Sequence, residues 1–160
     1  MPITPNAERA AAARSAAEIL CQRLRIIPET DQPIGLVCGT GWDVLQLDDR
    51  REISFRELPG FEALGTLEGH ARMVVASRIG GKLVVALRGR VHLNEGYGED
   101  VIRMVRLQTE MIFHCGVQTL VVTSAVGSLS YGKSDPLRVG DVAVVRGFIT
   151  LHAPRGPLYG

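Results

Sequence analysis

The sequence predicts an α/β fold with a mixed β-sheet flanked by helices. Short apolar runs typical of buried strands alternate with segments rich in helix formers, and two of the runs are joined by a Gly-Gly pair. The chain has 160 residues, 46% of them hydrophobic and 22% charged, which is the balance of a soluble globular domain. No internal repeat, low-complexity block or interdomain linker divides it. We therefore expect one domain.

The N-terminal segment, residues 1–30, predicts a helix and its connection to the sheet. Thr4 and Pro5 are a typical helix start, because a hydroxyl N-cap precedes a residue whose missing N–H costs nothing there. Residues 7–24 are dense in Ala, Glu, Arg and Leu, which favour helix. The polar, proline-bounded stretch 28–33 is expected to end it.

The first strands are predicted from apolar runs bounded by glycine. Residues 34–38 (IGLVC) indicate a buried strand that runs directly into Gly39-Thr40-Gly41. Residues 72–79 and 82–89 flank Gly80-Gly81, and the glycines tolerate the positive φ of a tight hairpin turn. This pair predicts an antiparallel hairpin within the sheet.

The second half of the chain predicts a helix and two more strands. Residues 99–115 carry apolar side chains at a spacing near 3.6 and stop at Gly116, a typical C-cap. Residues 118–127 indicate another buried strand that runs into small residues, and 141–145 (DVAVV) a further strand. The polar tail 152–160 has no helix or strand pattern.

Composition argues against several classes of partner and location. Lys and Arg total 18 against 17 Asp and Glu, so nothing favours nucleic acid or an anionic membrane. No apolar run approaches the roughly 20 residues of a membrane-spanning helix, and the N-terminus lacks a signal-peptide pattern. Cys21, Cys38 and Cys115 show no metal-ligand spacing, and we expect buried free thiols in a reducing cytoplasm.

Three strand exits share a chemistry suited to anions. Residues 39–41 and 124–128 each offer unobstructed backbone N–H groups and a hydroxyl. In the third, residues 88–92, Arg90 can grip a phosphate through two N–H bonds, and His92 points to the same side two residues on. Ligands of open α/β sheets collect outside the carboxyl ends of strands. By residue type alone, His70 is a solvated loop histidine and residues 94–98 form a turn.

Five segments, in this order, carry a specific resemblance. They are VCGTGWDVL, LEGHARMVV, GRVHLNEGYGEDVIRMVR, GVQTLVVTSAVGSL and VGDVAVV. Together they resemble the trimeric purine nucleoside phosphorylases, whose near relatives are the methylthioadenosine phosphorylases. The similarity runs from Ile34 to the end of the chain, and the GR-x-H-x-x-EGY block is its most specific part.

The resemblance implies a phosphorylase-type sheet and phosphorolysis, in which inorganic phosphate displaces a purine base from C1′ of a (deoxy)ribonucleoside. It implies no cofactor and no metal, a homotrimer, and a purine nucleoside and phosphate as the molecules bound. The implied phosphate-binding groups are Thr40, His70, Arg90, His92 and the backbone N–H of Ala125. The implied substrate contacts are Asn94, Tyr97 and Ser124.

The sequence also departs from the family pattern. Thr40 replaces the usual Ser and is more like the methylthioadenosine branch. Ser124 and Val126 replace Asn and Ala near the phosphate and base, and Gly127-Ser128-Leu129 leans toward the same branch. Asn94 replaces a Tyr that contacts the sugar in many members, and Gly147-Phe148 stand where an Asp-His pair is common. The region of the family that reads the purine has no counterpart. We therefore expect an N-terminal part, truncated on the C-terminal side, with residues 34–160 binding phosphate.

Three alternatives to a purine nucleoside phosphorylase remain open. One is a methylthioadenosine phosphorylase. Another is a non-catalytic remnant of the same family that binds an anion or a protein partner. The third is an unrelated doubly wound nucleotide-binding domain, against which no G-x-G-x-x-G pattern opens a helix after the first strand.

Overall fold

The computed structural model describes residues 6–42, 48–65, 71–95, 98–129, 132, 134 and 136–147. The helices are α1 (Asn6–Leu24), α2 (Pro28–Asp31) and α3 (Glu99–His114), and short 3₁₀ turns lie at Phe55–Glu57 and Leu93–Glu95. The strands are β1 (Ile34–Val37), β2 (Asp48–Ser54), β3 (Met73–Ile79), β4 (Lys82–Arg88) and β5 (Thr119–Val122).

The five strands form one mixed sheet, as predicted. Their order is β2-β3-β4-β1-β5. The β2–β3 and β3–β4 pairs are antiparallel, whereas β1 runs parallel to both β4 and β5. Val37 at the end of β1 lies between Leu87 of β4 and Val122 of β5. The carboxyl ends of these three strands therefore meet at one edge of the sheet.

The central strands have two apolar faces, because successive side chains of a strand point to opposite sides. Leu83, Val85 and Leu87 of β4 join the main core, while Val84 and Ala86 join a smaller cluster on the other face. Apolar residues on both faces produce the continuous apolar runs that the sequence shows, rather than an alternation.

Helices α1 and α3 pack on each other and on the main-core face. Buried residues of α1 recur at helical spacing: Ala13, Ala16, Ala17, Leu20 and Leu24. The corresponding residues of α3 are Met104, Leu107, Met111 and Ile112. Both helices were predicted to within one residue at each end. The proposed cap, Thr4-Pro5, lies outside the described residues. Within the described segments no helix is long and apolar enough to cross a bilayer.

Two predictions about the last strands were wrong. The 118–127 run forms only the four-residue β5, which is exposed rather than buried: Val122 is 64% exposed. Among the described residues β5 has one strand neighbour, and neither of its faces is covered as the faces of β4 are. Residues 141–145 form no strand, because they pair with no strand of the described chain. A β-branched run cannot form a ladder without a hydrogen-bonding partner.

Three smaller features also differ from expectation. Pro28 opens the short helix α2, at the first helical position where its missing N–H costs nothing, rather than only ending α1. None of the three cysteines is in a disulfide, and Cys38 and Cys115 are buried, but Cys21 is only half-buried. The edge strand β2 was not predicted, because five of its seven residues, DDRREIS, are charged and give no apolar signal.

Replacing Gly116 with alanine should destabilise the fold. Gly116 follows α3 at φ +88°, and a Cβ there would lie 2.7 Å from the Pro28 carbonyl oxygen. Gly81, in the hairpin turn at φ +78°, has open space around it. We expect Gly116→Ala to lower the free energy of unfolding by about 2–4 kcal/mol, from strain and steric overlap. Gly81→Ala should cost only about 1 kcal/mol, from backbone strain.

Urea denaturation of both variants measures this difference. Equal losses for Gly116→Ala and Gly81→Ala would show that the close approach of Pro28 to the end of α3 contributes nothing.

Candidate functional site

Three loops meet at the edge where β1, β4 and β5 end. Residues 38–41 follow β1, residues 89–92 follow β4, and residues 123–128 follow β5. The parallel register places the three strand exits that the sequence singled out side by side at one edge of the sheet.

Thr123 joins the loops after β1 and β5. Its backbone N–H donates to the Val37 carbonyl at 3.0 Å. Its hydroxyl donates to the same carbonyl at 2.9 Å and accepts from the Gly39 N–H at 2.9 Å. The approach is so close that a Cβ on Gly39 would lie 2.8 Å from the Thr123 carbonyl oxygen. Glycine is therefore required at position 39 to let the two backbones touch.

Arg90 joins the loops after β4 and β1. The Cys38 N–H donates to the Leu87 carbonyl at 3.0 Å, and Arg90 Nη1 donates to the Cys38 carbonyl at 3.2 Å. The Arg90 side chain is half-buried. No carboxylate of the described residues forms an ion pair with it, so its positive charge is not neutralised by them.

Gln108 of α3 supports the 89–92 loop from behind. Its Oε1 accepts from the Val91 N–H at 2.8 Å, and its Nε2 donates to the Val91 carbonyl at 3.0 Å. The residue is 5% exposed. A buried side-chain amide thus takes the place that a neighbouring strand would occupy, and leaves neither Val91 backbone group unsatisfied.

Arg72, just before β3, and Glu95, in the 3₁₀ turn, form an ion pair against the same loop, with Arg72 buried and Glu95 half-buried. Arg72 Nη2 pairs with Glu95 Oε2, and Arg72 Nη1 donates to the carbonyls of Gly89 (3.2 Å) and Arg90 (2.8 Å). The other Glu95 oxygen accepts from the His92 N–H at 2.6 Å. Burial acts to raise the pKa of Glu95, but hydrogen bonds from Arg72 and His92 outweigh it, so the pKa lies below its ordinary value.

The structure brings most of the predicted site residues to this edge. Thr40, Ser124 and Ala125 are exposed, and His92 is half-buried like Arg90. The backbone of Asn94 lies in the 3₁₀ turn Leu93–Glu95, but its side chain is not among the described groups. His70 and Tyr97 lie outside the described residues, so their predicted roles stay predictions.

Sequence reasoning missed the residues that hold the loops. Thr123 and Gln108 gave no signal, because one lay inside a predicted strand and the other inside an amphipathic helix. Glu95 was assigned to a turn. Arg72 was included in the apolar run of a hairpin strand, although an arginine at the start of a buried run needs a buried partner. The need of Arg72 for a buried partner was the signal that the sequence offered.

The chemistry of this edge suits an oxyanion. It presents a guanidinium, a hydroxyl at Thr40 and the glycine-containing backbone of two loops. Within the described part of the chain, no three His, Cys, Asp or Glu side chains come together as a possible metal site.

Comparison with protein families gives one match that covers most of the chain. Residues 33–160 match the family described as the phosphorylase superfamily. This range contains β1, the three loops and α3.

Curated and solved relatives agree with this match. The chain is 32% identical to a purine nucleoside phosphorylase 1 of Geobacillus stearothermophilus, over 92% of the chain and 51% of that protein. It is 32% identical to the purine nucleoside phosphorylase of Mus musculus, over 79% and 43%. A crystal structure of Schistosoma mansoni purine nucleoside phosphorylase in complex with inosine superposes with a TM-score of 0.61 at 27% identity, over 76% and 40%. The chain spans about half the length of the relatives it matches.

Replacing Thr123 with valine should weaken the junction of the β1 and β5 loops. Valine has nearly the same shape but cannot accept the Gly39 N–H. We expect a loss of about 1–3 kcal/mol in the free energy of unfolding from this unsatisfied donor. Thr123→Ser keeps the hydroxyl and should lose less. Equal losses in chemical denaturation would show that the hydroxyl does not hold the loops.

Glu95 should make stability depend on pH. Because its pKa is lowered in the folded protein, it stabilises the fold above its unfolded pKa and loses that effect as pH falls through the folded value. The melting temperature of the unmodified protein should therefore fall as the pH drops below the ordinary pKa range of glutamate. Glu95→Gln should be less stable at neutral pH, since Arg72 is left buried without a counter-charge, and its melting temperature should change less with acid. Parallel curves would contradict this role.

Proposed function

Because the chain belongs to the phosphorylase superfamily, we propose that it carries the phosphate-binding part of a purine nucleoside phosphorylase. The observation that supports the proposal is the meeting of three loops at one sheet edge beside Arg90, which no carboxylate of the described residues neutralises. The matched relatives are purine nucleoside phosphorylases, enzymes that transfer a pentosyl group.

The proposed reaction is phosphorolysis of the N-glycosidic bond. A phosphate oxygen attacks C1′, the bond from C1′ to the purine nitrogen breaks, and the products are the free base and (deoxy)ribose 1-phosphate. As that bond stretches, the sugar gains oxocarbenium character, which a phosphate dianion held beside C1′ stabilises. Holding the two reactants in line supplies a further part of the rate.

In this proposal each group at the edge has a separate task. Arg90 binds two phosphate oxygens as a permanent cation, and the Thr40 hydroxyl and Ala125 N–H donate to the anion. His92 and His70 donate further hydrogen bonds. Asn94, Tyr97 and Ser124 contact the nucleoside. Inorganic phosphate is the co-substrate, and the chemistry requires no cofactor.

The family resemblance also supports a homotrimer in the cytoplasm. Neighbouring subunits help to close the active site in trimeric phosphorylases. In this proposal residues 34–160 form the phosphate-binding part, and residues 1–30 are the N-terminal helix and its connection.

Two other functions make different predictions for the same chain. Thr40 and Gly127-Ser128-Leu129 favour methylthioadenosine as substrate, because they follow the pattern of that branch. The phosphate-suited loops alone are also compatible with a module that binds phosphate without turnover.

Phosphate-dependent release of base separates these functions. We expect the purified protein to release hypoxanthine from inosine; release of adenine from methylthioadenosine would favour the second enzyme. Phosphate titration calorimetry tests the module. Binding without release of either base would support it and contradict phosphorolysis.

Replacing Arg90 tests the phosphate site itself. We expect Arg90→Ala to weaken phosphate binding by about 10- to 100-fold, because a charge-assisted contact is lost. Arg90→Lys should lose less, since it keeps the charge but not the two-pronged geometry. Arg23→Ala, which removes an exposed arginine paired with Glu57, is the control and should bind normally. Unchanged binding in Arg90→Ala would overturn the site.

A further inference from the structure

Three successive peptide groups of the loop after β4 are held by side chains. The carbonyl of Gly89 accepts from Arg72. In the next peptide, the Arg90 carbonyl accepts from Arg72 while the Val91 N–H donates to Gln108. In the one after, the Val91 carbonyl accepts from Gln108 while the His92 N–H donates to Glu95. Two adjacent peptide planes are therefore fixed at both ends, which fixes the backbone of Arg90 and His92.

Arg72 is the residue that connects this loop to the sheet. Its carbonyl accepts from the Phe55 N–H at 2.9 Å, so its backbone is tied to the turn after β2. It has φ +52°, a left-handed conformation that is rare for arginine. Its side chain is buried, at 5% exposure, and reaches two carbonyls and a carboxylate at once. The guanidinium has little freedom, because the backbone of Arg72 is strained and bonded to Phe55 while its side chain is bonded to the loop.

Only arginine fits this arrangement. Its planar fork presents several donors in fixed directions, whereas lysine is a single point charge on a flexible stem. The Glu95 carboxylate neutralises the buried cation, which would otherwise be costly. The same carboxylate fixes the His92 N–H, so one ion pair orders the backbone on both sides of Val91.

We propose that Arg72 is a positioning residue for phosphate binding, because it sets the loop conformation in which Arg90 and His92 meet the anion. This inference rests on the proposed function of the loop. Arg72 itself acts through the carbonyls of Gly89 and Arg90 and through Glu95, not by touching phosphate.

Arg72→Met tests the positioning role before any ligand is added. We expect the amide hydrogens of Val91 and His92 to exchange at least about tenfold faster, because their peptide planes lose a restraint. The amides of Val75 and Val85, in the middle of β3 and β4, should keep their rates. Arg51→Met is the matched control, since Arg51 also donates to a carbonyl, that of Arg25, and pairs with Asp49. It should leave the loop unchanged.

Phosphate binding provides the second measurement. We expect Arg72→Met to bind phosphate about 10- to 100-fold more weakly, because the groups that contact phosphate are then misplaced. The affinity of Arg72→Lys should lie between that of Arg72→Met and that of the unmodified protein. The double variant Arg72→Met/Glu95→Gln removes both charges and keeps an acceptor for His92. It should regain thermal stability relative to Arg72→Met, because no buried charge is left alone, yet keep the weak phosphate binding.

These results separate the inference from the proposed function. Unchanged exchange at Val91 and His92 in Arg72→Met would overturn the positioning role whatever the ligand. Faster exchange with normal phosphate affinity would also overturn it. Recovery of both stability and affinity in the double variant would show a purely structural role. If the unmodified protein binds no phosphate, the proposed function and the positioning role for phosphate both fall, while the exchange data still decide whether Arg72 orders the loop.

Discussion

The parallel pairing of β1 with strands on both sides is the constraint on which the site depends. Only four residues long, β1 lies between β4 and β5 and runs in the same direction as both. Three chain segments from distant parts of the sequence therefore leave the sheet at one edge. Gly35, in the middle of β1, permits this closeness, since a Cβ there would lie 2.8 Å from side-chain atoms of Val117 and Leu120. A shift of either neighbouring strand would separate the loops.

Backbone hydrogen bonding then determines how those loops are built. A loop between packed strands contains N–H and C=O groups that cannot reach water, and each must find a partner. Here Thr123, Gln108, Arg72 and Glu95 supply those partners from four different parts of the chain. The side chains that shape these loops are thus not those proposed to bind the anion. They are buried polar groups whose hydrogen bonds leave the loop with one conformation.

The sequence predicted the elements that local pattern determines, and it failed where distant partners decide. The helices Asn6–Leu24 and Glu99–His114 and the hairpin followed from apolar spacing and from Gly80-Gly81. The charged edge strand β2 forms because β3 offers it a ladder, which no local pattern reveals. Residues 141–145 have a strand composition without a strand partner among the described residues. The three strand exits were predicted from their chemistry, but Arg72 and Gln108 were missed because their role lies in contacts far along the chain.

Two arginines of the site illustrate how environment, rather than residue type, sets a role. Arg72 is buried and its charge is neutralised by Glu95, so it can contribute only geometry. Arg90 is half-buried and donates one hydrogen bond to the Cys38 carbonyl. It forms no ion pair with a carboxylate of the described residues. A partly desolvated cation without a counter-charge attracts an anion more strongly than one in open water does. Arg90, which no described carboxylate neutralises, thus lies on a loop that the Arg72–Glu95 ion pair holds in place. The proposed electrostatic binding of an anion requires both the cation and the preorganised loop.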